Sequence, residues 1–243
     1  MSDVKNDVKK EIEELRKLIE YHNDRYYNQD DPEISDYEYD QLTLRLRKLE
    51  EEYPEYKSAD SPTQKVGGRA KREAGVLVKH NVPMLSLQDV FSKDEVYSFV
   101  ERILKERSDT VFVVEKKIDG LSVSLRYQDG RFVQGITRGD GINYGEDVTE
   151  NIKMINDAVF TLKDPVPYLE VRGEVYMKTK DFEAVNERLE AEGKKVFANP
   201  RNCAAGTLRQ LDPQVVKERG LSLFVFNVQD ARGISFVNHS ESL

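Results

Sequence analysis

LSVSLRYQDGRFVQGIT, residues 121–137, is the stretch that reveals the fold class most directly. Its two halves, 121–127 and 131–137, are rich in β-branched, aromatic and alternating apolar side chains, which is typical of strands. Between them stands Asp129-Gly130, a dipeptide favoured in two-residue hairpin turns because both turn positions take a positive φ. The stretch therefore predicts a β-hairpin and, with it, an antiparallel sheet.

The same strand pattern recurs on both sides of this hairpin. Further strands are predicted at 111–115, 169–177 and 221–228. One helix is predicted to begin after Ser92, where Glu95 completes a capping pattern, and another to span 181–192. Strands paired in hairpins with occasional helices indicate an α+β domain built on antiparallel sheets.

The N-terminal part of the chain predicts a helical hairpin. Apolar or aromatic residues three or four positions apart form one stripe on each of two helices, the second of which begins at the capping box Ser35/Glu38 and ends before Pro54. The stripes are Val8, Ile12, Leu15, Ile19, His22, Tyr26 and Tyr39, Leu42, Leu46, Leu49, Tyr53. Residues 54–83 are rich in Pro and Gly, so we expect a linker and two domains, 1–70 and 71–243.

Composition and charge limit the classes of function. The 243 residues carry a formal charge of −8, and residues 1–53 hold 16 acidic and 9 basic residues, so most of the acidity lies in the first domain. One cysteine and three scattered histidines predict neither an internal disulfide nor a transition-metal site. Without an apolar run of about 18 residues or a signal peptide, we expect a cytoplasmic protein that does not enter a membrane.

Residues 111–120, VFVVEKKIDG, contain the sharpest candidate for chemistry. On a strand, Glu115, Lys117 and Asp119 share one face, and Lys116 points to the other. A lysine is a nucleophile only when neutral, and its ordinary pKa near 10.4 leaves under ~0.1 % in that form at pH 7, so cations such as Arg138 or Mg²⁺ would have to lie close to it. The alternative is an exposed strand end with a ladder of charge pairs.

Other charged segments have a functional and a plain interpretation. Thr137-Arg138-Gly139-Asp140-Gly141 could bring backbone and a guanidinium to a phosphate, or could be a solvated glycine turn. Glu170, Arg172 and Glu174 share a strand face, which alone favours an exposed face. Residues 65–80 and 193–211 are basic islands, suited to phosphate-backbone contacts or equally to solvated loops.

One face of the second N-terminal helix also carries candidate ligand-binding groups. Asp36, Tyr39 and Asp40 lie at i, i+3 and i+4, and Tyr26 ends the preceding stripe. Carboxylates around phenol rings could stack on and pair with a cationic heteroaromatic ring. The plain alternative places the tyrosines in the core and the aspartates in solvent or at the helix cap.

Taken together, these residues resemble the bacterial NAD-dependent DNA ligases. The segment EKKIDGLS at 115–122 resembles the nucleophile motif of that family, and six further segments follow the family's order along essentially the whole chain. These are DPEISDYEYD at 31–40, MLSL at 84–87, TRGDG at 137–141, LEVRGE at 169–174, FANPRN at 197–202 and GTLRQLD at 206–212.

The resemblance implies a helical NMN-binding domain followed by a nucleotidyltransferase (ATP-grasp-like ligase) domain. It implies that Lys117, with Asp119 and Arg138 beside it, attacks the α-phosphate of NAD, releases NMN and carries AMP to the 5′-phosphate of nicked DNA, with Mg²⁺ as cofactor. The implied cofactor-binding residues are Tyr26, Asp36, Tyr37, Glu38, Tyr39, Asp40, Ser86, Leu87, Glu115, Arg138 and Glu174. Arg201 and Arg209 are the implied DNA contacts.

The resemblance also sets expectations for the chain as a whole. Nothing after Val228 resembles the family's later motifs, so we expect the N-terminal part of a ligase, a monomer that needs further domains to bind nicked DNA and seal it. We expect it to bind NAD or NMN weakly and to self-adenylate slowly or not at all. The rival functions are an ATP-dependent covalent nucleotidyltransferase and a non-catalytic nucleotide- or DNA-binding module.

Overall fold

The computed structural model describes residues 2–28, 32–58, 60–64 and 75–242. The predicted domain boundary near residue 70 and most of the basic island at 65–80 lie outside these residues. Within them, no helix has the length and apolar character needed to cross a bilayer.

The predicted helical hairpin is present. Helix α1 spans Ser2–Asn23 and continues into a π-helical turn, Asp24–Asn28, and helix α2 spans Asp36–Glu52. The capping box at the start of α2 forms as predicted, because the Ser35 side chain accepts from the Glu38 backbone N–H while the Glu38 carboxylate accepts from the Ser35 N–H at 2.8 Å. The two stripes meet in a small core that contains Ile12, Ile19, Leu46 and Leu49.

Four antiparallel strands form the main sheet, in the order β3-β2-β5-β6. Their bounds are Leu121–Gln128 for β2, Arg131–Thr137 for β3, Tyr168–Met177 for β5 and Leu221–Arg232 for β6. The predicted hairpin turn joins β2 and β3, with φ of 48° at Asp129 and 73° at Gly130. Two three-residue strands, β1 at Leu77–Lys79 and β4 at Tyr144–Glu146, pair with each other outside this sheet.

One face of the sheet is apolar and carries the core. Val123, Leu125, Val171 and Val175 pack there against helices that run behind the sheet. These helices are α4 (Thr149–Ile152), α5 (Thr179–Ala191), α6 (Pro200–Leu208) and α7 (Pro213–Arg219). The other face is polar and bears Ser122, Ser124, Arg126, Glu170, Arg172 and Glu174.

Part of the basic island at 193–211 is a buried helix rather than a solvated loop. The Asn199 side chain caps α6 by accepting from the Asn202 N–H, and Pro200 fits the first turn, where its missing N–H is no loss. Every residue from Asn202 to Leu208 is buried, because small side chains let the helix lie close to the sheet. The loop interpretation is therefore wrong for residues 200–208.

The strand predicted at 111–115 is also wrong. Residues 111–119 have an irregular backbone, and Val111 and Val114 are 88 % and 95 % exposed. Within the described residues no strand pairs with this segment to accept its backbone hydrogen bonds, so its alternating side chains do not suffice to form one.

Helix α3 spans Lys93–Glu106, begins at the predicted Ser92 cap and buries no residue. The chain ends in a short helix, α8, at His239–Ser242.

Candidate functional site

A cavity of about 500 Å³ lies between the helical hairpin and the polar face of the sheet. Both parts of the chain supply its walls. The helical wall consists of His22, Asn23, Tyr26, Pro32, Glu33, Ile34, Tyr39 and Asp40. The opposite wall consists of Ser86, Leu87, Asp89, residues 115–119, Ser122, Arg138, Arg172, Glu174, Arg201, Phe224 and Phe226.

The segment with Lys117 is held at its C-terminal end by a close backbone approach. A side chain at Gly120 would overlap the carbonyl oxygen of Val175 on β5, so only glycine lets the segment pass this close to the sheet. Arg201 Nε donates to the Gly120 carbonyl at 3.0 Å and lies 3.3 Å from Asp119 Oδ1. The backbone before Gly120 is irregular, so Lys116 and Lys117 both line the cavity instead of pointing to opposite faces.

Arg138 connects the end of β3 to the segment around Ser86. Its Nε donates to the Met84 carbonyl at 3.0 Å and its Nη2 to Ser86 Oγ at 2.7 Å. The turn after it needs its glycines, because Gly139 and Gly141 have φ of 55° and 74°. Asp140 Oδ1 closes this turn by accepting from the N–H groups of residues 142–144 at 2.7–3.1 Å. Arg138 is therefore held on the cavity wall by the glycine turn that the sequence singled out.

Glu174 and Arg172 place opposite charges side by side on the floor of the cavity. Burial raises the pKa of Glu174 above its ordinary value, although a hydrogen bond from Ser122 Oγ at 2.5 Å and the charge of Lys117 act against the increase. Arg172 stacks over the Phe226 ring at 5.4 Å and donates from Nη1 to the Leu85 carbonyl at 2.7 Å. Burial and the nearby Arg138 lower the pKa of Arg172.

On the helical wall, an aromatic ring meets a cation of the opposite wall. The Arg201 guanidinium lies 4.2 Å from the centre of the Tyr26 ring, in cation–π geometry. Burial, and then the charge of Arg209, lower the pKa of Arg201 to about 10, so it stays charged at neutral pH. The Tyr39 hydroxyl donates to Asn23 Oδ1 at 2.8 Å, and burial raises the pKa of this phenol.

The structure brings most of the predicted site residues to this cavity. Those that line it are Tyr26, Tyr39, Asp40, Ser86, Leu87, Glu115, Lys117, Asp119, Arg138, Glu174 and Arg201. The Glu115 carboxylate also contacts His239 of α8, and the His239 Nε2 lies 3.1 Å from Glu115 Oε1. The predicted residues therefore share one site, although they come from opposite ends of the chain.

Other predicted site residues lie elsewhere. Tyr37 is 72 % exposed and points away from the cavity, and the Glu38 carboxylate is occupied by the capping box. Arg209 is not among the residues that line the cavity, and its Nε donates to the Ala205 carbonyl. The Asp36 side chain lies outside the described residues.

Several lining residues were not predicted. His22 was assigned only to the apolar stripe, and Arg172 only to an exposed strand face. Phe224 and Phe226 project from alternate positions of β6, so the period of two in that strand is the signal that could have placed them together on one face.

The described residues contain no group of three or more histidine, cysteine, aspartate or glutamate side chains that could hold a metal ion. Mg²⁺ does not require one, because it keeps several waters and often binds one or two carboxylates together with substrate phosphates. Asp119 and Glu174 are carboxylates on the cavity wall, so these residues fit Mg²⁺ only as partners of a phosphate.

Comparison with known proteins agrees with this geometry. Residues 5–67 match the family described as DNA ligase-like, N-terminal NAD+-binding domain, and residues 75–243 match the NAD-dependent DNA ligase adenylation domain. The chain is 58 % identical over 237 residues to a DNA ligase of Clostridium kluyveri and 53 % identical over 238 residues to one of Acetivibrio thermocellus. Each match covers 98 % of this chain but only 35 % or 36 % of the relative, so the chain spans about a third of their length. The chain belongs to the NAD-dependent DNA ligase family and comprises its N-terminal NAD+-binding and adenylation regions.

Proposed function

We propose that this chain forms the adenylation region of an NAD-dependent DNA ligase, in which Lys117 is the nucleophile of the nucleotidyl-transfer step. The neutral Lys117 amine attacks the α-phosphate of NAD, a P–N bond forms, the P–O bond to the leaving phosphate breaks and NMN departs, and the amine nitrogen loses one proton to solvent. The observation that carries the proposal is that Lys117 lines a cavity whose two walls come from the two family regions.

The sheet-side wall has the groups that an adenylate requires. In the proposed site Glu115 accepts from an adenine amino group in place of His239, and Ser86 and Leu87 line the space for the base. Arg138 offers a guanidinium fork to a phosphate, and Glu174 contacts the ribose. Arg172 adds a second guanidinium close to Arg138, so positive charge surrounds the phosphate on which negative charge develops during transfer.

The helical wall has the opposite chemistry, which suits the cationic nicotinamide ring. Tyr26 and Tyr39 offer aromatic faces and Asp40 offers negative charge, and Asp36 is proposed as a further carboxylate for the same ring. This wall has no evident task if ATP is the donor, because the leaving group is then pyrophosphate. The proposed donor is therefore NAD.

Transfer of AMP to the 5′-phosphate of nicked DNA, and sealing by the 3′-hydroxyl, complete the proposed reaction in replication and repair. Arg201 and Arg209 are the proposed DNA contacts. Mg²⁺, held by phosphate oxygens with Asp119 or Glu174, would supply additional positive charge.

The test uses a chimera in which this chain replaces the matching 35 % of the Clostridium kluyveri ligase. Intact-mass measurement after incubation with NAD and Mg²⁺ should show the gain of one adenylyl group. Lys117→Ala and Lys117→Arg should abolish this gain, because neither presents a neutral amine at that position, whereas Lys116→Ala should retain it. A full adduct in the Lys117 variants would refute the assignment.

The donor is tested in the same chimera. NAD should form the adduct and support sealing of nicked DNA, and ATP at equal concentration should do neither. Adduct formation from ATP as fast as from NAD would favour the ATP-dependent alternative.

A further inference from the structure

Glu170 is a fully buried carboxylate that lies beside the cavity without lining it. It stands on the same face of β5 as Arg172 and Glu174, which the sequence predicted to be exposed, yet its exposed fraction is 0 %. The prediction of an exposed face is wrong at this position because residues 77–87, here called the strap, cover that end of the sheet. Through Lys79 and Asn81 the strap takes part in the hydrogen-bond network around Glu170.

Four side chains surround the Glu170 carboxylate. Ser124 Oγ donates to Oε1 at 2.6 Å, and the Tyr168 hydroxyl donates to Oε2 at 2.6 Å. Arg126 Nε lies 3.3 Å from Oε2, and Asn81 Nδ2 lies 3.5 Å from the same oxygen. The side chain of Arg126 is only 9 % exposed, so this is a buried ion pair with satisfied hydrogen bonds.

The pair fastens the strap to the sheet. Arg126 Nη2 donates to the Lys79 carbonyl at 3.0 Å, and Asn81 Nδ2 donates to the Tyr168 hydroxyl at 3.1 Å. Further along the strap, the carbonyls of Met84 and Leu85 accept from Arg138 and Arg172, and Ser86 accepts from Arg138.

Apolar packing holds the cavity end of the strap only at one residue. Met84 is fully buried, but Leu85 and Leu87 are 64 % and 66 % exposed, and the backbone after Lys79 has no regular hydrogen-bond ladder. The strap is also held by two backbone hydrogen bonds to the glycine turn, from His80 N–H to the Asn143 carbonyl at 2.9 Å and from Met84 N–H to the Gly141 carbonyl at 2.6 Å. The position of Ser86 and Leu87 therefore depends on polar contacts to that turn and to the sheet, and the network around Glu170 is the buried part of the contacts to the sheet.

We propose that the Glu170–Arg126 pair is a positioning device that fixes the strap and thereby sets the affinity of the site for the adenylate half of its substrate. Glu170 acts through the strap and does not touch ligand. The inference rests on the proposed function, because it takes Ser86 and Leu87 to be the adenylate-side wall.

Stability alone does not explain such a pair. Removing two charges from water is costly, and apolar residues of similar volume often serve at least as well in a core. Apolar replacements here would leave the Lys79 carbonyl and the Asn81 amide without their partners on the sheet. The pair therefore holds the strap in position through hydrogen bonds that an apolar core could not make.

Glu170→Gln in the 243-residue chain tests the inference. Glutamine keeps the volume of glutamate but removes the charge that holds Arg126. Calorimetry should show the dissociation constant for AMP rising about tenfold, the equivalent of one or two hydrogen bonds, while that for NMN changes less than about twofold. A general loss of stability would weaken the binding of both AMP and NMN, so it would not produce this difference between their dissociation constants.

Glu50→Gln is the matched control. Glu50 is also nearly fully buried, pairs with Arg16 at 2.7 Å and accepts from Thr63 Oγ1, but it lies in the helical hairpin. This variant should leave AMP affinity unchanged. An equal loss of AMP affinity in both variants would show a general effect of losing a buried charge and would overturn the inference.

Asn81→Ala decides the question if Glu170→Gln does not fold. It removes the side-chain tether of the strap without leaving a buried charge unpaired, and should weaken AMP binding about three- to tenfold with NMN binding unchanged. If the variants that fold bind AMP as tightly as the wild type does, the inference is overturned but the proposed function is not. Absence of both AMP and NMN binding in the wild-type chain would contradict the proposed function and the inference together.

Discussion

At the scale of single residues, Glu174 carries an electrostatic cost of burial. Its pKa is raised, because burial disfavours the carboxylate more than Ser122 and Lys117 favour it. A raised carboxyl pKa contributes stability fully below the unfolded value of 4.5, and this contribution is lost as the pH rises through the folded pKa. Above the folded pKa the chain therefore holds an ionised group in an unfavourable site.

Glu174→Gln should consequently stabilise the chain at pH 7. The amide keeps an acceptor for Ser122 Oγ and removes the buried charge. Melting temperatures measured from pH 4 to pH 8 should diverge as the pH rises, with the variant higher at pH 7 and the two equal near pH 4. The exposed Glu150→Gln is the control and should show no such divergence; a Glu174 variant less stable than wild type at pH 7 would contradict the assignment.

The site residues that the sequence could predict are those in short motifs with unusual composition. Lys117, Arg138 and Glu174 each interrupt an otherwise apolar or glycine-rich segment, and all three line the cavity. Glu38 was predicted through its position in a motif, but its carboxylate serves the helix cap. A motif marks a segment, and only backbone geometry determines which of its side chains reach the ligand.

At the scale of elements, the start of α2 determines where the helical wall lies. The capping box fixes the first turn, from which Tyr39 and Asp40 project into the cavity. Ser35→Ala removes the acceptor for the Glu38 N–H and should lower the free energy of unfolding by about 1 kcal/mol in urea denaturation. Ser98→Ala, at an exposed position inside α3, should be neutral or slightly stabilising, since alanine has the higher helix propensity. Equal effects of the two substitutions would show that the cap contributes nothing.

A helix or strand could be predicted where a regular spacing of apolar residues was accompanied by a capping or turn residue that marks where the element begins or ends. The α1 and α2 stripes, the Ser92 cap and the β2–β3 turn all meet this condition. Two kinds of element were not predictable. Helix α6 has few large apolar residues because it packs closely, so it lacks a stripe, and β1 and β4 are too short to show a period.

The segment at 111–115 shows the opposite failure. Its alternation satisfies the strand pattern, but strand formation also requires a neighbouring backbone, and the described part of the chain offers none there. A period in the sequence reports which side chains could share a face. Pairing is a long-range property that the local sequence does not contain.

At the scale of the whole molecule, the two walls of the cavity carry complementary charges. The helical wall contributes the carboxylates of Glu33 and Asp40. The sheet side contributes the lysine and arginine side chains of the cavity, which are Lys116, Lys117, Arg138, Arg172 and Arg201, together with the carboxylates of Asp89, Glu115, Asp119 and Glu174. This division matches a substrate with a cationic ring at one end and phosphates at its centre. It also explains how an acidic chain can hold an anionic substrate, because the cations are concentrated on one wall of the cavity.

NAD should therefore bind more tightly than either of its halves. When one half is held by its wall, the covalent link presents the other half to the opposite wall at a high effective concentration, which typically increases affinity by about 10²–10⁴-fold. Calorimetry on the 243-residue chain should show this order for NAD against NMN and AMP measured separately. Asp40→Asn should weaken NMN and NAD by similar factors and leave AMP unchanged, because the Asp40 carboxylate belongs to the helical wall. If NAD binds no more tightly than its better half, the two walls do not engage the substrate together, and the cavity between them is not the site at which NAD is held for transfer.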